Sequence, residues 1–93
     1  MNKSEAKSAL ERYLLEYRLK SYQELLQLMD EPETREVSLP SGQKYHLEVQ
    51  VSWDGRPDGN LRVLASLDDG RWRAVFPLCS DFVISPEGNF VGE

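Results

Sequence analysis

The chain has 93 residues, 40% apolar and 29% charged, with a formal net charge of −5. That is enough for one globular domain but not for a cleft between domains, and 16 acidic against 11 basic residues do not suit a phosphate backbone. One cysteine and one histidine exclude an internal disulfide and a His/Cys zinc cluster within a single chain.

No apolar run approaches the length of a membrane span, and the first residues lack the apolar core of a signal peptide. The expectation is a single cytoplasmic α+β domain over residues 1–93, binding neither nucleic acid nor membrane and needing no cofactor or metal. The acidic excess lies mostly after Pro32, with ten acids against six bases there and six against five before it. Such a surface favours solubility and basic partners.

The chain opens with a helix. Asn2 and Glu5 have capping-box spacing, and no Gly or Pro interrupts the stretch from Lys3 to Met29. Leu10, Leu14, Tyr17, Ser21, Leu25 and Leu28 step by three and four and form one stripe. A second stripe, Leu15, Leu19, Tyr22, Leu26 and Met29, lies beside it. The combined apolar arc is wider than one sheet covers, which leaves two readings. Either the second stripe is an interface for a protein partner, or the helix bends. Ser21 and Glu24 repeat the capping-box spacing, so a new helix starting there would turn the second stripe inward. Pro32 ends the helical region.

Beyond Thr34 the apolar period becomes two. A short strand around Arg35 to Leu39 precedes the Pro40-Ser41-Gly42 turn. Three longer strands follow, with inward residues Tyr45, Leu47, Val49, Val51 and Trp53; then Leu61, Val63, Ala65 and Leu67; then Trp72, Ala74, Phe76 and Leu78. Treating Asp54 to Asn60 as a loop pairs Trp53 with Leu61, Val51 with Val63, Val49 with Ala65 and Leu47 with Leu67. Asp69-Gly70 suits a two-residue hairpin turn, which pairs Leu67 with Trp72, Ala65 with Ala74, Val63 with Phe76 and Leu61 with Leu78. An odd slip would put charged residues on the inner face. The expected architecture is therefore an N-terminal helix, straight or bent, on one face of an antiparallel meander of four or more strands.

This register sorts the outer face as well. His46, Asp68 and Arg71 form one row, and Glu48, Ser66 and Arg73 the next. A carboxylate beside an imidazole has the form of a general base, and Arg71 with Arg73 the form of an anion site. The simpler reading is a solvated sheet face with opposite charges paired across strands. Leu64 and Val75 are expected as neighbours on this face, asking for a cover. Phe82, Val83, Ile84, Phe90 and Val91 are too apolar for a loose tail, and Ser85-Pro86-Glu87-Gly88 reads as a turn. The C-terminal segment therefore adds a strand or folds over one side.

The remaining motifs carry little chemistry. In WDGRPDGN, Asp54, Asp58 and Asn60 depart from the calcium-loop pattern, with Arg56 where an acidic ligand is needed. Cys79 is expected at the opposite end of its hairpin from His46, out of reach for a nucleophile–base pair. Nothing marks a catalytic set. The functional expectation is a non-enzymatic interaction domain that binds a protein partner or forms a homodimer, with Leu15, Leu19, Tyr22, Leu26 and Met29 as the interface. The alternative is a small-anion binder or minor enzyme using His46, Asp68, Arg71 and Arg73.

Overall fold

A computed structural model describes residues 3–70 and 78–93. Helix α1 spans Lys3–Arg18 and the short helix α2 spans Tyr22–Leu26. Strands β1 (Glu33–Ser38), β2 (Lys44–Trp53), β3 (Leu61–Asp68) and β4 (Leu78–Ile84) follow. The sheet is an antiparallel meander in the order β1-β2-β3-β4, with the helices on one face. This is the two-layer α+β arrangement that the change of period implies.

The helical region bends. The last turn of α1 tightens, with the amides of Leu19 and Lys20 donating to the carbonyls of Glu16 and Tyr17. Ser21 is extended and caps α2. The Glu24 amide donates to Ser21 Oγ at 3.1 Å, and the Ser21 amide donates to Glu24 Oε1 at 3.0 Å. Ala6, Ala9, Leu10, Leu14 and Tyr17 of α1 are buried, as is Leu25 of α2. The break turns Tyr22, Leu26 and Met29 against the core, while Leu15 and Leu19 stay out. The start of α1 fits the first capping signal, although Asn2 itself lies outside the described residues.

The β2–β3 register is the one the sequence implies, with Trp53 opposite Leu61, Val51 opposite Val63, Val49 opposite Ala65 and Leu47 opposite Leu67. The partner of β3 on its other side is different. Leu67 pairs with Leu78 and Leu61 with Ile84, so the hairpin pairing of Leu67 with Trp72 and Leu61 with Leu78 is wrong. Both edges of β3 are taken, by β2 and by residues 78–84. The expected strand from Trp72 to Pro77 lies outside the described residues.

The C-terminal segment extends the sheet: Phe82 and Ile84 are buried in the core. A turn follows, with the Gly88 amide donating to the Ser85 carbonyl at 2.9 Å. It folds the chain back so that Phe90 bridges to Ile84, and the Val91 amide donates to the Val83 carbonyl at 2.9 Å. Edge strand β1 is closed by polar contacts on its helix side: Tyr17 donates to Glu33 at 2.6 Å, and Arg35 pairs with Glu16 at 3.0 Å. Inward charges of this kind discourage an edge strand from pairing with another chain.

Candidate functional site

Two surfaces compete as sites: the outer sheet face and the solvent side of α1. On the outer face, His46 stands opposite Asp68 and on its other side Glu36. The acid does not orient the imidazole. Asp68 Oδ1 instead accepts the Gly70 amide at 2.8 Å, a turn contact. Gly70 has φ +78°, and a Cβ there would stand 3.3 Å from His46 Nε2, so the ring lies over this turn. Arg71 and Arg73, the other two members of the expected ligand set, lie outside the described residues.

The corrected β4 register rewrites the rows beside β3. Ser66 is flanked by Glu48 and Cys79, and Leu64 by Gln50 and Asp81 rather than Val75. Cys79 is therefore not at the far end from His46; it sits on the same face in the neighbouring row. Two strand spacings and two residues still separate them, about 12 Å in all, beyond hydrogen-bond reach. Among the described residues the strongest polar feature of this face is a ladder on Arg62. Its guanidinium pairs with Asp54 at 2.8 Å and with Asp81. The Asp54 hydrogen bond, then that to Asp81, push its pKa further up. All three groups are partly exposed, and the ladder reads as cross-strand charge pairing.

The ladder also engages the first acid of WDGRPDGN. The loop is closed by the Asp54 amide on the Asn60 carbonyl at 2.8 Å, with Asp58 at φ +66°. Tyr22 of α2 donates to the Gly59 carbonyl at 2.6 Å, tying the bend to this loop. Sequence reasoning missed that tether because a phenol-to-backbone contact across 37 residues leaves no local pattern.

The solvent side of α1 is different in kind. Leu15 is 58% exposed and Leu19 is 88% exposed. At about 100° per residue they share a crown roughly opposite the buried Ala6–Leu10–Tyr17 side. Both flanks of the crown carry charges of both signs. Toward β1 stand Arg12 and Glu16, the latter bonded to Arg35. Toward β4 stand Glu11, which accepts from Ser80 Oγ at 3.1 Å, and Arg18. Arg18 is fixed in place: its guanidinium lies 4.8 Å from the Phe82 ring centroid and 4.7 Å from that of Phe90, and it pairs with Glu93 at 2.7 Å. Phe90 and Val91, 38% and 43% exposed, continue the apolar surface past Arg18. Of the expected interface set, then, Leu15 and Leu19 stand exposed on this crown, and Tyr22, Leu26 and Met29 pack partly against the core.

Burial also acts on Tyr17 beneath the crown. Desolvation, then its hydrogen bond to Glu33, hold the phenol well above its ordinary range. Open grooves of about 490 Å³ and 420 Å³ run along the two sides of the helices, the first lined by Arg12, Tyr13, Glu16 and Leu39, the second by Arg18, Tyr22, Ile84 and Phe90. Among the described residues no helix is long and apolar enough to cross a membrane.

The fold and this surface define a two-layer α+β domain with a helix–bend–helix unit on an antiparallel meander. In comparisons with known proteins, no family model, no curated protein and no solved structure matches the chain.

Proposed function

We propose that this chain is a protein-interaction domain that makes its contact through the crown of α1 and performs no catalysis. The observation that carries the reading is Leu19, 88% exposed one residue past the end of α1, next to Leu15 on the solvent side of a helix whose opposite side is buried. A leucine pair at i, i+4 adds nothing to this core, and exposed apolar patches rimmed by charge mark contact surfaces. Phe90 and Val91 enlarge the patch, and the rigidly stacked Arg18 supplies a polar rim. The outer-face ligand reading has less support, because Asp68 is engaged by the Gly70 amide and the sheet there is open to water.

A photocross-linking residue at position 19 tests the proposal against the same residue at position 36, on the outer face. A discrete protein adduct from position 19 and none from position 36 is the expected result. Equal labelling from both positions, or an adduct from position 36 alone, would overturn it.

A further inference from the structure

We infer that the edge of β4 beside Arg18 is a recognition groove for an extended segment of another protein, one that carries an aromatic residue, a glycine two positions later and an acid directly after it. Residues 90–93, Phe-Val-Gly-Glu, occupy this groove in cis and show its chemistry. The contact role of Leu15 and Leu19 does not enter this inference.

The segment is held at its backbone, its ring and its carboxylate. The Val91 amide donates to the Val83 carbonyl at 2.9 Å, which begins a strand added to the edge of β4. The Phe90 ring stands edge-on to Phe82 with centroids 5.7 Å apart, and Arg18 lies over both rings. Gly92, at φ +84°, then turns the chain off the edge, and Glu93 reaches the Arg18 guanidinium at 2.7 Å. Side chains disfavour that φ, so glycine belongs to the pattern. Main-chain bonds that hold and side chains that select are the elements of recognition by strand addition.

The occupant is docked on the core and is not part of it. Phe82 and Ile84 beneath it are buried, whereas every residue from position 86 to 93 is exposed. The turn before it closes on itself. The Ser85 amide donates to the Asn89 carbonyl at 2.8 Å, and the Asn89 amide donates to Ser85 Oγ at 3.1 Å. Residues 90–93 are therefore able to lift away with the turn intact. Their fit is also incomplete. Beside Phe90 the groove of about 420 Å³ runs on between the 86–88 turn and the start of α2, lined by Arg18, Lys20, Tyr22 and Ile84. A larger aromatic in place of Phe90 extends into that space, so a segment supplied in trans gains contacts that the cis segment lacks. Charge selects the partner as well. Arg18 and Lys20 line the groove against one acid, Glu87, so an acid from the partner replaces Glu93 and a base there is repelled.

Fluorescence polarisation with labelled peptides tests the groove. One probe is Asn-Phe-Val-Gly-Glu, the sequence of residues 89–93, and a second carries Trp in place of Phe. The full chain with Phe90→Ala and Glu93→Gln presents the groove emptied. It should bind the Phe probe about tenfold or more tighter than the wild type does, because the wild-type segment competes at an effective concentration of roughly millimolar. The Trp probe should bind more tightly than the Phe probe. Arg18→Ala in the emptied chain, or Lys for Glu in the probe, should weaken binding by about tenfold or more. Equal binding to wild-type and emptied chains, no binding to an emptied chain that still unfolds cooperatively, or binding indifferent to Arg18 overturns the inference. A Trp probe weaker than the Phe probe overturns it too, by removing the advantage of a trans segment. If the emptied chain does not fold, the wild type decides: the Trp probe at about 5 mM should shift the NMR signals of the Phe82 ring and the Ile84 methyls, and unshifted signals overturn the inference. A doubled wild-type mass that Phe90→Ala abolishes and Leu15→Glu with Leu19→Glu leaves in place would make a second copy the occupant and overturn the assignment to another protein.

Discussion

Replacing Leu25 with Ala, beside Leu19 with Ala as its control, reads the bend energetically. Leu25 is 0% exposed in α2, and Leu19, on the other side of the bend, is 88% exposed. Leu→Ala removes about three methylene equivalents at about 0.8 kcal/mol each, and an unfilled cavity adds more. Leu25→Ala should therefore lower unfolding stability by about 3 kcal/mol. For Leu19 only about a tenth of that transfer applies, near 0.3 kcal/mol. Urea unfolding followed by circular dichroism resolves the two, since a chain of this size has an m value of roughly 1 kcal/mol/M. The Leu25→Ala midpoint should fall by about 3 M and the Leu19→Ala midpoint by less than about 0.5 M. Equal losses at both positions would refute the bent helix, because only a differently turned segment buries them alike. A loss above about 1 kcal/mol at Leu19 alone would place it in the core and remove it from the contact surface.

Three further outcomes follow from the same contacts. Ser21→Ala, which deletes the side-chain cap of α2, should lower stability by about 1 kcal/mol in the same urea assay, and an unchanged midpoint would argue against the cap. Tyr17→Phe should weaken the fold by about 1–2 kcal/mol near neutral pH through the lost bond to Glu33. It should also flatten the alkaline limb of the stability curve. Because the folded phenol titrates above its ordinary value of about 10, its contribution is complete below that pH and is lost as pH rises through the folded value. An alkaline limb identical in wild type and variant would contradict that assignment. Tyr45 is buried with a hydroxyl that finds no hydrogen-bond partner among the described residues. Tyr45→Phe should thus leave stability unchanged or raise it by up to about 1 kcal/mol, whereas a comparable loss would reveal a partner for the oxygen.

The parts of the fold legible in the sequence are those where local chemistry and the apolar period agree. Ser21 and Glu24 announce the second helix, and the loop from Asp54 to Asn60 fixes how β2 meets β3, because any odd slip would expose the inward valines and leucines. The partner of β3 was not legible, and the reason is parity. In the sequence the apolar alternation from Trp72 runs on through Leu78 to Ile84 at even-numbered positions. A slip of six residues moves Leu67 from Trp72 to Leu78 without turning any side chain over. The period cannot decide between the two, and the Asp69-Gly70 signal favoured the nearer one. In the fold, Phe82 and Ile84 fill the core beneath α1, with Arg18 stacked on Phe82.

The candidate site divides the same way. An apolar arc too wide for one sheet is visible in the spacing of Leu15 through Met29. Which half stays exposed is set by the break at Ser21, a tertiary outcome anchored by the Tyr22 bond to Gly59. The stacking of Arg18 between Phe82 and Phe90 joins residues more than sixty positions apart, so no local pattern encodes it.

The most direct test of the α1 crown as the contact surface is the native size of the chain in cell extract, with and without the double change Leu15→Glu and Leu19→Glu. The wild-type chain should elute above the size of a 10.7 kDa monomer, and the variant at monomer size while still unfolding cooperatively, its urea midpoint lowered by about 1.3 M or less. A wild-type chain already at monomer size, or a folded variant that still elutes with the wild-type assembly, would contradict the account.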